Sequence, residues 1–176
     1  MLTLIRELVL CATFVSLAVA LGFAFVQVPN VELVSLVIFF SGYFLGPRRG
    51  LLIGLLSMGL FTTLNPMGIP MVPVAMAQIC SMAVIGLAGG LLRTWISGTI
   101  SWIRLAITGL ACTLFYDLTT TVAMALSLGL ISKLLSVLAA GLAFCILHMV
   151  SNIVVFAAVG PFLSMIAPRV NPAQPQ

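Results

Sequence analysis

Asp117, His148 and Asn152 place polar and ionisable chemistry inside long apolar stretches of this chain. Such a group is costly in an apolar setting, so each one calls for a partner or a function. Asp117 has Thr113, Thr120, Thr121 and Met124 at i−4, i+3, i+4 and i+7, which puts all five on one stripe of a helix. His148 and Asn152 are four residues apart and share a face of another helix. Asp117 and His148 can meet across a bundle, where the carboxylate would fix the imidazole tautomer. The pair then either fixes packing or presents a polar edge to a ligand. Asn65, Gln78 and Tyr116 add polar groups at similar depth, and convergent polar groups in an apolar bundle make a small-molecule site. Glu32 stands at the start of a helix, where the dipole favours an acidic cap. Closing the loop that holds Asn30 over a ligand is its second reading.

Reactive constellations of other kinds are missing. There is no GxSxG elbow, no HExxH and no pair of neighbouring carboxylates, so no catalytic residue is assigned and no enzyme is expected. No glycine-rich phosphate loop is present, so ATP chemistry must come from a partner. His148, Asp117 and Cys145 lack diagnostic metal-ligand spacing, and neither a metal nor a cofactor is expected. Cys11, Cys80, Cys112 and Cys145 stand singly in apolar segments and read as packing residues.

The elements that position these residues follow from composition. The chain of 176 residues is 62% hydrophobic and 6% charged, against about 25% charged in soluble domains. It is therefore an integral membrane protein. Hydropathy predicts six helices, over residues 7–26, 33–45, 51–64, 74–92, 103–126 and 138–165. Proline and glycine break the chain at Gly46-Pro47 and between Asn65 and Pro73. The expectation is one all-α membrane domain over residues 1–166, with a disordered polar tail at 167–176.

Arg6, Arg48, Arg49, Arg93, Arg104 and Arg169 fall on one side of the six-helix pattern and only Lys133 on the other. Basic residues accumulate in cytoplasmic loops. The bias predicts cytoplasmic termini and three outward loops, near residues 28–32, 65–73 and 127–137. Trp95 and Trp102 flank the second inner loop as interfacial anchors. In the first helix Ala12, Ser16, Ala20 and Ala24 recur every four residues, a ridge that lets another helix approach closely. Its partner is either one of the chain's own helices or a separate subunit.

Several segments, in order, resemble the substrate-binding S-components of energy-coupling factor (ECF) vitamin transporters. They are Pro29-Asn30-Val31-Glu32-Leu33, Gly42-Tyr43-Phe44-Leu45-Gly46-Pro47-Arg48-Arg49-Gly50, Asn65-Pro66-Met67-Gly68, Tyr116-Asp117, His148-Met149-Val150-Ser151-Asn152 and Gly160-Pro161. The resemblance implies a multi-pass protein of a prokaryotic cytoplasmic membrane that captures a water-soluble vitamin or related micronutrient from outside. It implies substrate contacts from Asn30, Glu32, Asn65, Gln78, Tyr116, Asp117, Thr120, His148 and Asn152. It also implies docking through Ala12, Ser16, Ala20 and Ala24 onto a transmembrane coupling subunit with two ATPases. Members that carry nickel or cobalt begin Met-His, whereas this chain begins Met1-Leu2-Thr3, so an organic substrate is expected. The competing reading is a membrane scaffold subunit with no ligand, which would have its outer cavity sealed by side chains.

Overall fold

A computed structural model describes residues 2–95 and 100–170. It contains α1 (Leu2–Ala24), α2 (Val34–Leu45), α3 (Pro47–Leu64), α4 (Val72–Trp95), α5 (Trp102–Ser127) and α6 (Leu134–Val170), with a 3₁₀ turn at Ile131–Lys133 before α6. No strand occurs among the described residues. Four segments are long and apolar enough to cross a membrane: Leu4–Ala24, Val72–Arg93, Trp102–Ser127 and Ile131–Ile166.

The helix boundaries follow local chemistry. Gly46 turns α2 into α3 at φ 95°, a conformation that costs glycine nothing, and Pro47 begins α3 where its missing N–H is not needed. Pro73 was expected in the break before the fourth helix. It sits instead in the first turn of α4, where the same rule admits it. The loop expected at 127–137 is shorter, because helical structure resumes at Ile131. The boundary expected at residue 166 falls inside α6, whose backbone stays helical through Val170. The expected tail beyond that point, and the side chains of Trp95 and Arg169, lie outside the described residues.

Helix α2 is the axis of the bundle. Its twelve residues are all buried, and it is surrounded by α1, α3, α4 and α6. A helix that is apolar on every side belongs inside. At 1.5 Å per residue it is roughly 18 Å long, well short of a hydrocarbon layer about 30 Å thick. Backbones approach one another closely around it. A Cβ on Gly42 or Gly50 would strike the Gly86 carbonyl, one on Gly86 would strike the Gly50 carbonyl, and one on Gly89 would strike the Phe39 carbonyl. Helices α2, α3 and α4 therefore meet main chain to main chain, with small residues making the contact possible. Above this contact Phe39 packs edge-on to Phe40 and Phe156, linking α2 to α6.

The last carbonyls of α2 meet charged donors. Arg93 Nη1 donates to the Tyr43 and Phe44 oxygens at 3.0 Å each, and Arg49 Nη1 donates to the Leu45 oxygen at 3.0 Å. Arg49 also pairs with Glu7 of α1 at 2.6 Å. Cations at a helix C-terminus complement both the orphan carbonyls and the dipole. At the opposite end of α2 Glu32 Oε2 accepts the Ser35 N–H at 2.8 Å. A short buried helix is thus held at both ends by charge.

Candidate functional site

Beneath the α1–α2 connection lies a cavity of about 390 Å³. Gly22, Phe25, Val26 and residues 28–32 form one side, with Val34 at the start of α2. Met58 and Phe61 of α3 and Met82 of α4 supply an apolar wall, and Tyr116, Asp117, Thr120 and His148 supply a polar one. The connection turns back on itself at Asn30, the single non-glycine among the described residues with positive φ, at 58°. Asparagine tolerates that left-handed conformation better than most residues.

The polar wall is one connected group. His148 Nδ1 lies 2.8 Å from Asp117 Oδ1, so the expected contact between α5 and α6 forms. His148 Nε2 lies 3.6 Å from Glu32 Oε1, and Asn152 Nδ2 donates to that same oxygen at 3.1 Å. The Tyr116 ring meets the imidazole edge-on at a centroid distance of 6.1 Å. One Glu32 carboxylate oxygen thus accepts from the first turn of α2 and the other ties the connection to α6. Burial pushes the Glu32 carboxyl up. The His148 imidazole and hydrogen bonding from Ser35 outweigh that effect and hold it below the ordinary glutamate value.

Asn152 and Thr113 are completely or almost completely buried, and His148 is 6% exposed. Buried polar atoms nearly always find partners. Here Asp117 Oδ2 and Asn152 Oδ1 have none, His148 Nε2 has only its 3.6 Å approach to Glu32 Oε1, and Asp117 and His148 both line the cavity.

The other expected site residues divide. Asn30, Glu32, Tyr116, Asp117, Thr120 and His148 line the cavity, and Asn152 reaches it through Glu32. The Thr120 hydroxyl is directed to the Tyr116 carbonyl at 2.8 Å, one turn back along its own helix. Gln78 stands behind the wall, with Oε1 accepting from Thr62 at 3.4 Å. Asn65 is not part of the lining. Its Oδ1 accepts the Met67 N–H at 2.9 Å and stabilises the turn between α3 and α4. An Asn-Pro turn has that Asx bond as its ordinary local use. Ser35, Phe25, Phe61, Met58 and Met82 contribute without having been singled out. Of these only Ser35, three residues after Glu32, carried a readable signal, the spacing of an N-terminal cap.

Ala12, Ser16, Ala20 and Ala24 are all exposed on the outside of α1, while Ala18 and Gly22 on its other face pack inward. The ridge is thus not used against the chain's own helices. Among the described residues no three His, Cys, Asp or Glu side chains are arranged to hold a metal ion, and all four cysteines are free thiols. No family model matches the chain, and neither a curated protein nor a solved structure matches it.

Proposed function

We propose that this chain is the substrate-binding S-component of an ECF-type vitamin importer: a six-span protein of a prokaryotic cytoplasmic membrane, both termini inside, that captures a water-soluble organic micronutrient. The observation that carries the reading is the cavity of about 390 Å³ with unpartnered polar atoms in its wall. That size lies within the roughly 300–1,000 Å³ of small-molecule sites. A scaffold gains nothing from leaving buried acceptors unsatisfied beside an open space, whereas a ligand that supplies the missing donors recovers their cost. In this reading Asn30, Glu32, Tyr116, Asp117, Thr120, His148 and Asn152 hold the substrate. The exposed ridge of α1 docks onto a coupling subunit that carries two ATPases.

The test separates capture from docking. Asp117→Ala or Asn152→Ala is expected to weaken retention of a co-purifying ligand at least about tenfold, the effect of losing one good interaction. Ala20→Leu with Ala24→Leu should leave retention intact and abolish uptake in a reconstituted complex. Unchanged affinity in the first pair would remove the site assignment, and unchanged uptake in the second would remove the docking surface.

A further inference from the structure

We infer that the molecule bound in this cavity is a small organic cation, an inference that rests on the capture reading and names its substrate class. The first ground is charge. Glu32 and Asp117 both line the cavity, and both face the single imidazole of His148. Two carboxylates against at most one imidazolium leave the wall with at least one net negative charge when both carboxylates are ionised. Among the described residues no arginine or lysine lines the cavity to cancel it. Arg49 and Arg93 are committed to the opposite end of α2, the one by Glu7 and the Leu45 carbonyl, the other by the Tyr43 and Phe44 carbonyls. An uncompensated charge among apolar walls is costly and is relieved by a counter-charge.

The second ground is the kind of partner that is missing. Pairing of Asp117 with His148 uses only Oδ1, and Oδ2 remains buried without a partner. His148 Nε2 lies 3.6 Å from Glu32 Oε1, so the imidazole is bracketed by the two carboxylates and spends both ring nitrogens on them. Asp117 Oδ2 and Glu32 Oε1 are both acceptors. What the site lacks is a donor, and an ammonium or amidinium group brings several donors with its charge. An anion would instead face two carboxylates.

The third ground is the remainder of the wall. Phe25, Phe61 and Tyr116 present aromatic rings, and Met58 and Met82 present polarisable thioethers. Ring faces attract cations and apolar bodies alike, which suits a cationic head on a flat organic frame.

The experiment uses the full-length protein in detergent. It is incubated with an equimolar mixture of thiamin and pyridoxamine as cations, nicotinamide and riboflavin as neutral compounds, and biotin and pantothenate as anions. Unbound material is removed by desalting, and retained compounds are quantified by mass spectrometry. One cation should be retained at least about tenfold above either anion, and Asp117→Asn should abolish that preference. The wild-type comparison carries the result even if Asp117→Asn does not fold. Preferential retention of a neutral compound or an anion overturns the charge inference and leaves capture standing. Retention of none of the six overturns capture as well.

Discussion

Glu32→Ala removes the acceptor that joins the α1–α2 connection to both α2 and α6. Two donors then lose their partner, the Ser35 N–H at 2.8 Å and Asn152 Nδ2 at 3.1 Å. At about 1–3 kcal/mol for each buried donor left unsatisfied, the variant should be destabilised by roughly 2–6 kcal/mol. Glu32→Gln should cost much less. Its amide oxygen can keep the Ser35 bond while its NH₂ turns to Asn152, whose unpartnered Oδ1 becomes the acceptor once that side chain flips. Only charge assistance is lost, about 1–2 kcal/mol. A double-mutant cycle of Glu32→Ala with Asn152→Ala, measured by urea unfolding in mixed lipid and detergent, should give a coupling of about 1–3 kcal/mol. The carboxylate also sets an acid limb. Because its native titration lies below the ordinary glutamate value, its contribution is present above that ordinary value. It is lost as pH falls through the lowered native one, and Glu32→Gln should flatten that limb. Additive single effects, or a Glu32→Ala cost under about 0.5 kcal/mol, would refute the reasoning.

Gly86→Ala drives a methyl group into the Gly50 carbonyl where three backbones already touch. It should cost about 3 kcal/mol or more, the upper end of overpacking. Gly59→Ala, with open space around it in α3, should be neutral or gain up to about 1 kcal/mol; the pair is compared by thermal unfolding. Arg93→Met removes two charged hydrogen bonds to the end of α2 and should destabilise by roughly 2–4 kcal/mol. Arg48→Met, at an exposed position in the first turn of α3, should stay within about 0.5 kcal/mol in the same assay.

Much of the site was legible because polar residues are so few. Any buried carboxylate or imidazole in a chain 6% charged had to find another, and i,i+4 spacing puts Asp117 and His148 each on a polar face of its helix. Asn65 was misplaced for a related reason. An asparagine before proline has a local partner in the next turn, and that short-range bond wins. The helices were legible as apolar runs, while their ends were not. Proline at a first helical turn reads as a break in sequence and is tolerated in three dimensions.

The contact among α2, α3 and α4 was invisible for a deeper reason. Gly42, Gly50 and Gly86 are scattered through three helices, and only their meeting explains them. The arginine bias gains a second cause by the same route. It was read as a response to membrane orientation, which acts on loops. Arg49 and Arg93, however, spend their donors on the carbonyls that a short buried α2 exposes at its end. A helix about 18 Å long cannot bring both of its termini to the surfaces of a layer about 30 Å thick, and its last carbonyls are met by charged side chains from α3 and α4. Helix length therefore demands cations at this end of the bundle, and the same helix begins at the opposite end with Glu32 in the cavity wall. Arg49 and Arg93 at one end of α2 and Glu32 at the other match the dipole of the helix around which the bundle packs.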